Sequence, residues 1–257
     1  MARERRHKTR GRRRRGRFSG LYKLLSTVLV TAAVVVACVV FFRVNGVTVT
    51  GNSRYTAEEI VAASRIETGD NLIALPKGKI ANRILVGLPY VRMVSIDRVL
   101  PDGVLLTVEE HLAAAAVSDG KNWWYISAQG KLLEQSGKTG PLRIEGITAV
   151  NPSSGESLSV SGEEAARLSY ALALLAVLEE RGMLGDCISL DCSAAGQLRL
   201  RYLNFVVKMP TTGDFAYILR CLETALDEDE RVSRKDSGTF DFTVADGKFY
   251  FSRTVED

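Results

Sequence analysis

The sequence predicts an α+β protein hung from a single N-terminal transmembrane helix: a small strand-helix-helix-strand-strand unit comes first, then a mixed α/β unit with an antiparallel-rich sheet. Three observations predict it. An uncharged run of nineteen residues follows a basic tail, short strands of period two are punctuated by Gly, Asn and Asp, and apolar stripes recur at helical spacing.

The formal net charge of +4 conceals two opposed halves. Residues 1–23 carry eleven Lys or Arg against one Glu, so the rest of the chain is net acidic. Clustered arginine read alone is a nucleic-acid arm, but here it abuts LLSTVLVTAAVVVACVVFF, residues 24–42, bounded by Lys23 and Arg43. As a helix this run is about 28 Å long, against a hydrocarbon core of ~30 Å. Basic flanks stay cytoplasmic, which places the N-terminus inside, exports everything beyond residue 43 and argues against a nucleic-acid partner. A cleaved signal peptide is the first rival, yet the run is long for one and no small-x-small site closes it. A lipoprotein signal is the second, because Val35-Val36-Ala37-Cys38 has the hydrophobic-small-Cys pattern. Against it, Val39, Val40, Phe41 and Phe42 carry the apolar run past the cysteine.

Residues 44–111 read as one unit. GVTVT alternates Val47 and Val49 with threonines, Gly51-Asn52 turns the chain, and Thr56-Ala57-Glu58-Glu59 is a capping box opening a helix over 57–65. Gly69-Asp70-Asn71 makes a second turn. A helix over about 77–86 follows, with Ile80, Ile84 and Leu88 on one stripe. MVSIDRV and VLLTVEE then face each other across Leu100-Pro101-Asp102-Gly103, a hairpin signal, with Val104, Leu106 and Val108 on one face. Two helices on a three-stranded sheet close a small core.

The second unit spans 112–253. WWYISAQGKLLE predicts an aromatic strand, a Gln129-Gly130 turn and a second strand, and a looser stretch around NPSSGES follows. Ser161-Gly162-Glu163-Glu164 reads as another capping box, opening a helix to about Arg181 that stops at Gly182. Its uncharged middle is too short to span a bilayer and is expected to bury most of its circumference against a sheet. CISLDC, QLRLRY, FVVKM, GTFDFTV and KFYFS supply that sheet as half-buried antiparallel strands, the last pair joined through Ala245-Asp246-Gly247. A helix over about 213–228 carries Phe215, Ile218, Leu219, Leu222 and Leu226 on one stripe, and DEDER is its solvated end. Residues 254–257 are a charged terminus.

Little in the chain offers chemistry. It has two histidines, His7 and His111, and shows no zinc spacing, phosphate loop or nucleophile elbow, so no catalytic, cofactor or metal site is expected. The cysteines are expected as buried thiols: Cys38 lies in the apolar run, and Cys187 and Cys192, five apart, would face opposite sides of one regular strand. Trp123, Trp124 and Tyr125 are conspicuous, but strand aromatics more often cover a core than bind. Phe249, Tyr250 and Phe251 lie on the last strand, where a sheet edge can pair with a partner.

VNGVTVTGN, YTAEEI, GDNL, LPYV and RVLPDGVLLTVEE, in this order after a basic-flanked anchor, resemble the FtsQ/DivIB family of bacterial division proteins. The first unit looks like that family's POTRA domain, and WWYISAQGKLLE, the capped helix and GTFDFTV look like its β domain. Two details depart from the family pattern: the chain continues His111-Leu112-Ala113-Ala114 where a proline is common, and Ser127 stands at the usual Asp of the aromatic-strand turn. The resemblance implies a non-catalytic divisome scaffold, without cofactors, at the division septum. It would hold FtsB/DivIC- and FtsL-type partners and link them to septal wall synthesis. Partner binding by strand addition would fall on Phe249, Tyr250, Phe251 and Ser252. Phe249 and Phe251 share one face, which leaves Tyr250 as the expected contact. The alternative is a membrane-anchored POTRA adaptor in protein export or secretion.

Overall fold

The computed structural model describes residues 18–137, 140–228, 232, 234–245 and 248–253. The arginine-rich tail up to residue 17, residues 229–231 of the acidic run, residues 246 and 247 of the expected turn and the charged terminus 254–257 lie outside the described residues.

Helix α1 (Phe18–Phe41) starts ahead of the apolar run. Its Gly20–Phe41 stretch has mean hydropathy 2.7 and is not buried against the rest of the described chain, as suits a membrane-anchoring helix. No slack linker follows it. The Phe42 N–H still donates to Cys38 O at 3.0 Å, while Phe42 O accepts from Leu72 N at 3.0 Å. Val44 donates to Asp70 O and accepts from Gly69 N, at 2.9 and 2.8 Å, and is only 1% exposed.

The first unit comprises β1 (Gly46–Thr50), α2 (Ala57–Ser64), α3 (Lys77–Gly87), β2 (Val91–Val99) and β3 (Gly103–Glu110). The sheet order is β1-β3-β2, with β1 parallel and β2 antiparallel to the central strand. Val104, Leu106 and Val108 on β3 meet Ile60 of α2 and Ile80 and Ile84 of α3 in one buried cluster, with Leu88 at its margin. The Thr56 capping box forms as its spacing predicts: Thr56 Oγ1 accepts from Glu59 N, and the Glu59 carboxylate accepts from Thr56 N.

The second unit contains β4 (Ala115–Ser118), β5 (Trp123–Ile126), β6 (Leu132–Ser136), β7 (Leu142–Thr148), α4 (Ala165–Glu180), β8 (Cys187–Asp191), β9 (Gln197–Tyr202), β10 (Phe205–Pro210), α5 (Phe215–Glu228), β11 (Gly238–Ala245) and β12 (Lys248–Arg253). Nine strands form one sheet in the order β12-β11-β10-β9-β8-β7-β4-β5-β6. It is antiparallel-rich but mixed, because β4–β7, β7–β8 and β10–β11 pair in parallel. Leu174, Leu175 and Leu178 of α4 and Leu219, Leu222 and Leu226 of α5 cover one face, forming one buried layer with Leu142, Ile144, Leu198, Leu200, Val207 and Phe240 of the sheet.

Two local expectations are corrected. Ser161 and Glu164 form no capping box, because a turn closes first, with Glu164 N donating to Ser161 O, and α4 starts only at Ala165. The Glu164 carboxylate instead accepts from Thr148 N at 2.9 Å, tying α4 to the end of β7. Cys187 and Cys192 do not face opposite sides. Both are buried in the same core, because the β8–β9 register shifts between Cys187 and Ser189 and breaks the regular pleat. They are free thiols, as is Cys221, and burial pushes the pKa of both Cys187 and Cys192 up to about 12.

The two units meet in a polar joint. Tyr90, 4% exposed, donates its hydroxyl to Glu134 of β6 at 2.9 Å. The Arg54 guanidinium lies 4.1 Å from the Tyr90 ring centre and reaches both Glu134 oxygens, at 2.9 and 2.8 Å. Lys131 Nζ donates to Val91 O at 3.2 Å. Burial, then the Glu134 hydrogen bond, raises the Tyr90 hydroxyl far above its ordinary value, so it stays a donor. Burial first, and then the nearby Lys131 and Arg92 charges, lower His111 in the connecting segment.

Candidate partner-binding edge

The two ends of the nine-stranded sheet are finished differently. At the β6 end, Leu132 N donates to Glu156 O, Gly155 N to Leu132 O and Ser154 Oγ to Leu133 O, so a loop covers the outer backbone where the strand begins. At the β12 end, among the described residues, no strand pairs with the outer side. Uncovered edges invite strand addition, and proteins commonly blunt them.

The local sequence builds β12 as a two-faced strand. It runs antiparallel to β11, with Thr239 opposite Ser252, Phe240 opposite Phe251 and Asp241 opposite Tyr250. Gly238 permits the close approach: a Cβ there would sit 2.6 Å from the Phe251 ring and 2.7 Å from Ser252 O. On the helix-covered face, the Phe251 ring centre lies 4.8 Å from that of Phe240 and 6.2 Å from that of Phe205, while Phe249 leans on Phe242 at 5.1 Å. On the opposite face Tyr250 is 59% exposed. Arg253 is held by Asp236 at 2.8 Å.

Tyr250 does not stand alone. Lys208, Thr239, Asp241, Val244 and Ser252 line a shallow concavity with it. Asp241 accepts from Thr243 N and Oγ1, at 2.9 and 2.6 Å, and lies 3.8 Å from Lys208 Nζ. Burial pushes its carboxyl up, but those hydrogen bonds and the Lys208 charge outweigh it, and the net shift is downward. The carboxylate is therefore ionised and occupied, leaving a tyrosine ring and a hydroxyl as the accessible recognition group. Sequence reading found Phe249, Tyr250, Phe251 and Ser252 but missed Lys208, Thr239 and Asp241. Their signal was present in the alternation of FVVKM and GTFDFTV, which assigns these three to the outer face once the register is known.

Trp123 and Trp124 sit at the other end of the sheet, half-buried on β5. Trp124 packs on the core and donates its indole N–H to Asp119 at 3.1 Å. Ser127 takes the place of a turn acid, its hydroxyl accepting from Gln129 N and Lys131 N. Among the described residues no three His, Cys, Asp or Glu side chains gather as metal ligands would.

Residues 42–111 match the family model described as "POTRA domain, FtsQ-type". The chain is 29% identical over 114 residues to the cell division protein DivIB of Clostridium acetobutylicum, covering 43% of this chain and 45% of that one. It is 23% identical over 170 residues to the DivIB of Clostridium tetani, covering 65% and 63%. To the cell division protein FtsQ of Syntrophotalea carbinolica it is 28% identical over 143 residues, covering 55% and 49%. The chain thus spans about half the length of the curated relatives it matches.

Proposed function

We propose, from the premise that the chain belongs to the FtsQ/DivIB family, that it is a non-catalytic bitopic scaffold of the bacterial divisome. It holds FtsB/DivIC- and FtsL-type partners beside septal peptidoglycan synthesis. Its N-terminus lies in the cytoplasm, α1 crosses the cell membrane, and both folded units work outside it at the septum. The functional boundaries are those of the tail 1–23, the anchor 24–42, the POTRA domain 44–111 and the β domain 112–253.

The observation that carries this reading is that, among the described residues, no strand pairs with the outer side of β12, whereas a loop covers the start of β6 at the opposite end of the sheet. A partner strand would pair with its outward N–H and C=O groups. Specificity would come from the face carrying Tyr250 and Ser252, with the Phe251 face already committed to the core. Tyrosine suits such a half-wet contact, because its ring offers area and its hydroxyl tolerates water.

Capture of the FtsB/DivIC-type partner by the full-length chain tests it. Tyr250→Ala abolishes capture while circular dichroism stays unchanged, and Phe251→Ala mainly lowers the melting temperature. Tyr250→Pro removes a backbone donor. Undiminished capture by folded Tyr250→Pro protein would exclude strand addition at β12. A fluorescent fusion that fails to concentrate at midcell would remove the divisome role itself.

A further inference from the structure

We propose that the pole of the first unit nearest α1 is a second membrane contact, with Ile73, Val99 and Leu100 seated in the headgroup layer of the leaflet from which α1 emerges. This rests on α1 crossing the bilayer and is indifferent to which way it crosses.

The connection leaves the pole nowhere else to go. Only Arg43, Val44 and Asn45 separate Phe42 from the residue that opens β1, and the backbone of each is hydrogen-bonded. The bond from Leu72 N to Phe42 O puts Ile73 one residue from the end of the apolar run. Asn45 N donates to Asp102 O at 2.8 Å and Asn45 Nδ2 to Asp102 Oδ2 at 3.0 Å, which draws the β2–β3 hairpin to the same place. Three residues span at most about 11 Å of chain. The headgroup layer on each side of the hydrocarbon is about 5–8 Å deep, so both loops lie at its depth or just above it.

Both loops present apolar side chains where turns ordinarily carry polar ones. Ile73 is 50% exposed, Val99 50% and Leu100 65%. The exposure is built in. Asn71 Oδ1 accepts from Ile73 N and Ala74 N, each at 3.0 Å, and Arg98 donates to Leu72 O and Leu75 O, at 2.8 and 3.3 Å. These bonds hold Ile73 outward rather than letting it fold onto the core. Charge at the pole is mixed rather than repulsive: Lys77 is offset by Asp97 at 3.7 Å, and the Asp70 and Asp102 carboxylates accept from Glu67 N and Asn45 Nδ2 within the unit, so the apolar side chains carry the contact.

Photoreactive benzoylphenylalanine, placed in turn at Ile73, Leu100, Leu29 and Val244 of the full-length chain, tests this in vesicles of phosphatidylethanolamine and phosphatidylglycerol. After irradiation, intact mass reads the lipid adduct. Adducts are expected at Leu29 within α1, at Ile73 and at Leu100, and none at the exposed but distant Val244. An adduct at Leu29 alone overturns the proposal while leaving the anchor intact. Loss of the Leu29 adduct removes the anchor and the proposal together. Equal adducts at Val244 would mean general adsorption, and protein dimers at Ile73 or Leu100 would assign the pole to a second copy; either overturns it.

Discussion

The molecule has two joints, and they are made of different material. Between α1 and the first unit, the connection is backbone hydrogen bonding around a fully buried Val44. Between the first and second units, it is side chains: Arg54, Tyr90 and Glu134, with Lys131 reaching a carbonyl. A backbone joint survives most surface substitutions and fails only with the fold. A side-chain joint can be loosened one group at a time while both units stay folded.

The largest expected effect comes from attacking the first joint. Val44→Asp buries an unpaired carboxylate, a penalty of roughly several kcal/mol that a unit this small does not survive. Melting of the full-length chain in detergent should lose the first unit's transition. Retention of that transition would show the joint to be looser than its hydrogen bonds imply. Ile84→Asp, at 0% exposure on α3, should match it in size and thereby show that Val44 belongs to the same core.

Glu110 sits between the extremes. Its carboxylate accepts from Ser53 N and Oγ, Arg54 N and Tyr55 N, and so holds the turn that presents Arg54 to the second joint. Burial pushes the carboxyl up, but these four donors outweigh it and the net shift is downward. Its stabilisation is therefore complete above about pH 4.3, the ordinary glutamate value, and is lost as pH falls through the lower folded value. Glu110→Gln should cost about 1 kcal/mol at neutral pH, a modest figure because the site is largely solvated. The difference in melting temperature between the two proteins should shrink on acidification below the ordinary glutamate range; a difference that did not shrink at all would assign the effect to packing.

The smallest effect on stability is expected at the second joint. A double-mutant cycle of Arg54→Ala and Glu134→Ala should return a coupling of about 0.5–1 kcal/mol, since both side chains are partly exposed. Distances between spin labels on the two units should nevertheless broaden in either variant. Unchanged distances would mean that Lys131 and the connecting segment suffice to hold the angle.

What the sequence made legible follows the same division. Thr56 and Glu59 could be read as a cap because their contact is three residues long and needs nothing from the rest of the fold. The same pattern misled at Ser161 and Glu164, where the demand of Thr148 N for an acceptor drew the glutamate away. Ile80 and Ile84 could be read as buried from period alone, whereas the burial of both Cys187 and Cys192 depended on a register shift between paired strands. Arg54 and Glu134 are eighty residues apart and carry no pattern at all. For the candidate site, β12 was legible as a strand with unlike faces. Its place at a sheet edge was expected too, but the parallel pairing of β11 with β10 that puts it there was not, because the alternation of a strand carries no direction for its neighbour.

The strand order also sets a lever. The joint residue Glu134 lies on β6 and the candidate partner strand is β12, at opposite ends of the same nine-stranded sheet. Eight inter-strand spacings place them about 38 Å apart along the sheet. With the first unit fixed to the membrane helix, a rotation of about 10° at the polar joint would swing the β12 edge by roughly 7 Å over that arm. A shift that the joint absorbs by lengthening a few side-chain hydrogen bonds thus becomes, at the far end, a displacement larger than the spacing between two strands.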